Sequence, residues 1–253
     1  MKKLVSLALL GVLAAAPAFA QDLTLPQLIE KNNEARGGKA AWEAAKVVRV
    51  EGTFEMGPGM VAPFTLVFAQ PNKMRMDFEI QGIKATQAFD GEGGWSLMPF
   101  MGSPDPQKAS DDEIKQFRRM ADFEGPLFNG EKKGYKLELL GKEDVEGTPA
   151  YKIKVTRDDE ESTLFVDAEY FLEFKETRKI TTEQGAEILM ESSMGDYKTV
   201  GDIVFPHSIL TKAQGAPQGQ AVTLKKIEVN PGGIGDDFFK MPPPAPKPAE
   251  AKQ

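Results

Sequence analysis

The stretch Gln70-Pro71-Asn72-Lys73-Met74-Arg75-Met76-Asp77-Phe78-Glu79-Ile80 decides the fold class. From Lys73 onward, Met74, Met76, Phe78 and Ile80 share one face of an extended chain, and Lys73, Arg75, Asp77 and Glu79 share the other. Strict alternation has a period of two rather than 3.6 and specifies a strand with one dry face and one wet face. The same period runs upstream. Val48, Val50 and Phe54 alternate with Arg49, Glu51, Thr53 and Glu55, and Phe64, Leu66 and Phe68 follow a turn containing Gly57-Pro58-Gly59. Downstream, strands are predicted over 83–89, 94–98, 135–140, 150–156, 162–166, 171–179, 187–190, 197–200, 203–210 and 221–229. Gly82, Asp90-Gly91, Asn129-Gly130, Glu146-Gly147, Gln184-Gly185 and Gly201-Asp202 punctuate them. Short glycine-containing turns between consecutive strands give an antiparallel meander of about eleven to thirteen strands. One apolar face per strand means that the sheet packs on one side or curls around its own core.

Helices are few. Thr24 is a good N-cap for a helix carrying Leu28, Ile29 and Ala35, which Gly37-Gly38 stops; a further turn or two around Trp42 follows over 39–45. Ser110-Asp111-Asp112-Glu113 is a capping box opening a helix over 110–122, with Ile114, Phe117 and Met120-Ala121 on one face. The preceding stretch, 98–108, is rich in Pro, Gly and Met and reads as a mobile loop. Pro242-Pro243-Pro244-Ala245-Pro246 opens a tail to Gln253 without apolar periodicity, expected to be disordered or polyproline-like.

The first twenty residues read as an export signal. Lys2-Lys3 is followed by an apolar run from Leu4 to Ala15 and by Ala18-Phe19-Ala20, a cleavage signature. The run is too short to span a bilayer, which takes about 20 apolar residues. The expected organisation is a signal peptide over 1–20, one domain over 21–241 and the tail over 242–253, in a protein exported to the periplasm. No cysteine follows the cut, so the chain is not expected to be a lipoprotein itself.

Composition removes several functions. The chain has 253 residues, 41% hydrophobic and 27% charged, enough to bury a sizeable core. A net charge of −7 and no basic block make a poor nucleic-acid binder. Cysteine is absent and His207 is the only histidine, which excludes disulfides, thiol chemistry and any mechanism needing two histidines. There is no Gly-x-Ser-x-Gly elbow, His-Glu-x-x-His, P-loop or dinucleotide fingerprint. Asp111-Asp112-Glu113 is explained by helix capping, and Asp158-Asp159-Glu160-Glu161 by a solvated hairpin tip. Asp236-Asp237 lacks the spacing of a calcium loop. No cofactor or metal is implied.

What remains is soft apolar surface: 16 Phe and 11 Met. Phe54, Phe64, Phe68, Met74, Met76 and Phe78 sit where strands present an inner face; Met98, Phe100, Met101, Phe117, Met120 and Phe123 lie on the loop and helix that would cover it. Met adapts to irregular and variable partners, which suits a pocket for flexible acyl chains, although an ordinary close-packed core uses the same residues.

The stretch from Gln70 to Phe78 resembles the strand of the outer-membrane lipoprotein-sorting (LolA-like) family in which a basic or polar residue precedes Pro-x-x-apolar-Arg. Phe89-Asp90-Gly91-Glu92-Gly93-Gly94-Trp95 is similar to that family's Asp-Gly hairpin leading into an aromatic strand. Leu164-Phe165-Val166-Asp167 resembles its strand ending in Asp, and Asp237-Phe238-Phe239-Lys240-Met241-Pro242-Pro243 its closing Phe-x-x-Pro-Pro segment. The order matches over roughly residues 40–243. The resemblance implies a mainly β (α+β) fold: a curved antiparallel sheet of about eleven strands forming a half-open β-barrel, with helices covering the concave face. It also implies a monomeric, non-enzymatic carrier of lipid acyl chains or lipoproteins across the periplasm, with envelope membrane proteins as candidate partners. Relatives of this architecture bind other lipids or sense the envelope.

On this reading Phe54, Phe64, Phe68, Met74, Met76, Phe78, Trp95, Phe117 and Met120 line an acyl-chain cavity facing the 110–122 helix. Gln70 stands where carriers of the family have an arginine that tethers the lid, and is the tether candidate here. The rival readings are a structural or envelope-sensing module without a ligand, on the same scaffold, and an exported hydrolase working through carboxylates alone.

Overall fold

The computed structural model describes residues 23–243 except Pro58, Asp159 and residues 182–184, and excludes the side chain of Met56. The predicted signal peptide, the tail from Pro244 and Gln184 of one predicted turn lie outside the described residues.

Thirteen strands form one antiparallel sheet in the order β6-β5-β4-β3-β2-β1-β15-β14-β11-β10-β9-β8-β7. The first flank is β1 (Val47–Gly57), β2 (Met60–Ala69), β3 (Lys73–Ile80), β4 (Ile83–Phe89), β5 (Gly94–Met98) and β6 (Ser103–Lys108). The second is β7 (Lys136–Val145), β8 (Thr148–Arg157), β9 (Glu160–Asp167), β10 (Glu173–Thr181) and β11 (Glu187–Gly195). A small separate hairpin, β12 (Lys198–Val200) with β13 (Ile203–Phe205), precedes β14 (Ser208–Ala213) and β15 (Gln220–Val229), which join the flanks. Edges β6 and β7 do not meet, so the curved sheet is a half-open barrel. Register breaks at Glu51/Gly52, Glu173/Lys175 and Leu139/Gly141 supply bend and extra twist.

Cross-strand pairing fixes which face is inside. Leu66 lies opposite Val50 and Met76, Phe64 opposite Phe78, and Met74 opposite Phe89, so the apolar set shares one face. Gly52 allows the bend there: a Cβ on it would lie 2.4 Å from the Thr223 carbonyl oxygen and 2.7 Å from the Phe64 ring. Three helices cover this concave face. Leu28 of α1 (Leu25–Ala35) packs with Ile153 and Val166, and Trp42 of α2 (Lys39–Ala44) with Val48, Phe128 and Phe205. Phe117 of α3 (Asp111–Met120) packs with Met74 and Phe89, seated over Gly94, where a Cβ would meet its ring at 2.7 Å.

Two sequence expectations need correction. Residues 98–108 are not a mobile loop: a 3-10 turn over Pro99–Met101 leads into β6, where Gln107 pairs with Ser96 and Lys108 with Trp95. β6 is an edge strand, and the missing N–H groups of Pro104 and Pro106 are tolerated there because only one side pairs. The single strand predicted over 203–210 is two strands. Pro206 interrupts pairing, and the His207 N–H turns to the Gly195 and Asp196 carbonyls. The His207 side chain is buried, with Nδ1 3.1 Å from the Phe205 carbonyl oxygen, in a packing role.

Candidate functional site

Open space within the sheet's curve lies between the segment after α3 (residues 121–126) and the inner faces of β8 to β11. It is a cavity of about 290 Å³. Its apolar walls are Trp42, Phe123, Val155, Leu164, Met194 and Phe205. These residues join two otherwise separate clusters, one centred on β1 and α2 and the other on β8, β9 and α1.

A polar frame holds the walls apart. The Arg36 guanidinium lies 4.1 Å from the Trp42 ring centroid, donates to the Glu124 carbonyl oxygen at 2.7 Å, and pairs with Glu173 Oε1 at 3.4 Å. The Trp42 indole N–H donates to the Arg36 carbonyl oxygen at 3.0 Å, and the Tyr197 hydroxyl donates to the Glu173 carbonyl oxygen. Burial pushes the Tyr135 and Tyr197 phenols well above their ordinary range, so both remain hydroxyls at neutral pH. Lys133 ties the cover down, reaching Asp122 Oδ1 at 2.6 Å and the Gly125 carbonyl oxygen at 2.6 Å.

Gln70 stands at the junction of cover and sheet. Its Nε2 donates to Glu124 Oε1 at 2.8 Å and to the Trp42 carbonyl oxygen at 3.3 Å, while Lys46 Nζ donates to its Oε1 at 3.0 Å. One side chain thus bonds the end of α2 and the segment after α3 to the β2–β3 turn. Burial raises the Glu124 carboxyl above the usual carboxylate range, with Lys133 opposing.

At the open end the cavity is charged. Arg119 Nη1 donates to Glu160 Oε1 at 2.7 Å, and the Arg157 guanidinium stacks 4.4 Å from the Tyr135 ring centroid. Burial and the neighbouring Arg119 lower the pKa of Arg178. Burial alone would raise the Glu160 carboxyl, but the hydrogen bond and charge of Arg119 outweigh it and leave it lowered. Two residues of the acidic run expected to be merely solvated therefore take part: Glu160 holds Arg119, and Glu161 pairs with Lys154 at 2.7 Å. Ser110 caps α3 as expected, donating from its backbone N–H to Glu113 Oε2 at 2.8 Å. Among the described residues no group of three His, Asp or Glu side chains is placed to hold a metal ion.

None of the nine residues predicted to line an acyl-chain cavity lines this one. Phe54, Phe64 and Phe78 meet on the sheet's inner face, with Phe54 5.9 Å from Phe64 and 5.8 Å from Phe78 between ring centroids. Phe68 stacks on Phe123 at 5.4 Å, and Met76 is partly buried beside it. The expected gap between sheet and α3 is filled: Met74 and Phe89 are 0% and Phe117 2% exposed, in one cluster. Met120, at the end of α3, is 40% exposed. Trp95 lies on the opposite face. It pairs with Ala88, which pairs with Arg75, and its indole N–H donates to the Phe239 carbonyl oxygen at 2.9 Å under the closing segment. One position along a strand reverses the face, and Gly94, not Trp95, is the inward neighbour of α3. The sequence reading missed Arg36, Arg119, Arg157 and Arg178. The available signal was the Glu173–Thr181 stretch, EFKETRKIT, which carries charge on both alternating faces.

No family model matches the chain, and no curated protein matches it. Solved structures do. A LolA superfamily protein from Nitrosomonas europaea superposes with a TM-score of 0.58 at 14% identity, over 87% of this chain and 98% of that one. An outer membrane lipoprotein-sorting protein domain from Vibrio parahaemolyticus gives 0.57 at 12% identity, over 85% and 97%. A DUF1329 family protein from Desulfovibrio piger gives 0.56 at 11%, over 85% and 97%. At these identities the likeness is one of architecture, and it agrees with the resemblance read from the four sequence segments: the chain shares the half-open barrel fold of these solved structures.

Proposed function

We propose that this chain is a non-enzymatic periplasmic carrier or binding protein that shelters the acyl chains of a lipid or lipoprotein beneath a helical cover. The observation that supports it is the cavity walled by Trp42, Phe123, Val155, Leu164, Met194 and Phe205 under a cover held by a few polar bonds. An acyl chain cannot cross water unaided, since each buried CH₂ is worth about 0.8 kcal/mol. At about 290 Å³ the closed cavity is near the lower end of ligand sites, roughly 300–1,000 Å³. Loading therefore requires the 121–126 segment to lift, at a cost set by Gln70 and Lys133. Gln70 holds Glu124 and the Trp42 carbonyl through an uncharged amide rather than through an ion pair, which keeps that cost modest. The signal-like N terminus and the fold shared with a lipoprotein-sorting domain point the same way. Among the described residues no helix is long and apolar enough to cross a membrane.

The closed Met74–Phe89–Phe117 cluster favours a second reading, a ligand-free scaffold that contacts envelope proteins. Organic extraction and native mass spectrometry of protein purified from its own periplasm separate the two. Co-purifying lipid at defined stoichiometry is the expected result. A single apo mass that takes up no added alkyl compound would leave only the scaffold.

A further inference from the structure

The polar face of α3 looks across a groove of about 1,070 Å³ at the tips of β8, β9 and β10. Among the described residues lining it are six cations (Lys115, Arg118, Arg119, Arg157, Arg178 and Lys179) against four acids, in a chain of net charge −7. Three of those acids are already engaged: Asp112 with Lys115 at 3.9 Å, Glu160 with Arg119, and Glu161 with Lys154. Among these cations Arg178 is the half-buried one without a bond. Its Nε is buried without a hydrogen-bond partner, and among the described residues no ion pair reaches its guanidinium. Glu176, two residues along the strand, and Glu160 temper its charge through space without bonding it. Arg178 is half-buried, a buried guanidinium N–H without an acceptor is unfavourable, and its planar fork fits a carboxylate or phosphate two bonds at a time. Arg119, Arg157, Glu160, Glu161, Ser162 and Arg178 line both this groove and the apolar cavity, so the charged vestibule, with both of its acids already paired, opens directly onto the greasy chamber.

We infer that the site selects an anionic amphiphile, with its alkyl chain against Trp42, Leu164 and Met194 and its phosphate or carboxylate headgroup on Arg178 at the mouth between α3 and β10. The inference rests on the acyl-chain reading above and adds the headgroup to it. Arg178 supplies two donors to the anion. Arg119, steered by Glu160, borders the same space and swings toward the anion when it arrives. The headgroup neutralises a half-buried guanidinium that has no ion pair among the described residues, so binding of head and chain reinforce each other.

The test is calorimetric titration of the full-length exported protein with dodecyl phosphate, dodecanoate, dodecyl maltoside and inorganic phosphate, each below its micelle concentration. Both anionic amphiphiles are expected to bind at least tenfold more tightly than the maltoside, with inorganic phosphate far weaker. That preference should shrink in 1 M NaCl, collapse toward unity in Arg178→Gln, and largely survive in Arg178→Lys. Should Arg178→Gln fail to fold, the salt dependence of the wild-type preference carries the test alone. Equal binding of charged and neutral amphiphiles overturns the headgroup assignment and leaves the acyl-chain reading standing. Inorganic phosphate binding as tightly as dodecyl phosphate overturns the amphiphile in favour of a free-anion site. No uptake of any alkyl compound overturns both.

Discussion

The two flanks of one sheet present opposite inner surfaces. On the β1–β6 flank most side chains facing the cover are apolar, and where α3 lands on them Phe117 fills the space over Gly94 between Met74 and Phe89. On the β7–β11 flank α1 closes over Ile153 and Val166, but beyond it β10 turns Glu176 and Arg178 inward beside Ser162 and Arg157, and ion pairs and hydrogen bonds join the Phe123 ring in holding the cover. Apolar surfaces that meet tend to close on each other, because each ångström of gap forfeits contact energy. Charged groups need room for partners and water, and they keep the second flank ajar. Greasiness alone therefore marks where a fold is shut; a chamber forms where apolar walls meet a polar frame.

The largest expected effects fall on the closed flank. Phe117→Ala should cost about 3–5 kcal/mol and Met74→Ala about 2–5 kcal/mol in urea unfolding. A loss under about 1 kcal/mol for either would mean that this flank is loosely filled and that the contrast is false. Gly94→Ala should cost about 1–3 kcal/mol, because the new methyl meets the Phe117 ring. Gln70→Ala acts on the hinge between the flanks. Loss of its hydrogen bonds should lower stability by about 0.5–1.5 kcal/mol while markedly speeding amide exchange in residues 121–128. Unchanged exchange there would remove its tethering role.

A smaller effect is pH-dependent. Glu124 has a raised pKa in the folded state, so folded protein binds more protons than unfolded protein just above the ordinary carboxylate range. Its contribution is greatest at low pH and is lost as pH rises through the folded value. Wild type should thus lose stability relative to Glu124→Gln on going from about pH 4.5 upward, a trend that paired melts across pH would reverse if Lys133 dominated burial.

How much of this was legible follows the same division. The strict alternation of Lys73–Ile80 has one physical solution, and the glycine turns propagate it, so architecture could be read along most of the chain. Residues 98–108 were misread because their prolines suit an edge strand, a place that only the strand order reveals. Trp95 was placed on the wrong face because its face depends on pairing with β4, where Phe89 lies opposite Gly94 and Ala88 opposite Trp95. The site escaped because it lies between segments far apart in sequence, with Arg36, Phe123, Leu164 and Phe205 brought together only by the closure of β15 on β1. The charges of β10 look like solvent-facing residues until register turns Arg178 inward.

The contrast between the flanks is tested most directly by methyl NMR of protein labelled at methionine, titrated with dodecyl phosphate. Met194 lines the cavity and Met74 lies in the closed cluster. The Met194 methyl should shift and show contacts to the alkyl chain while Met74 stays in place. Movement at Met74 with Met194 silent would put the chain between α3 and the sheet and contradict the account.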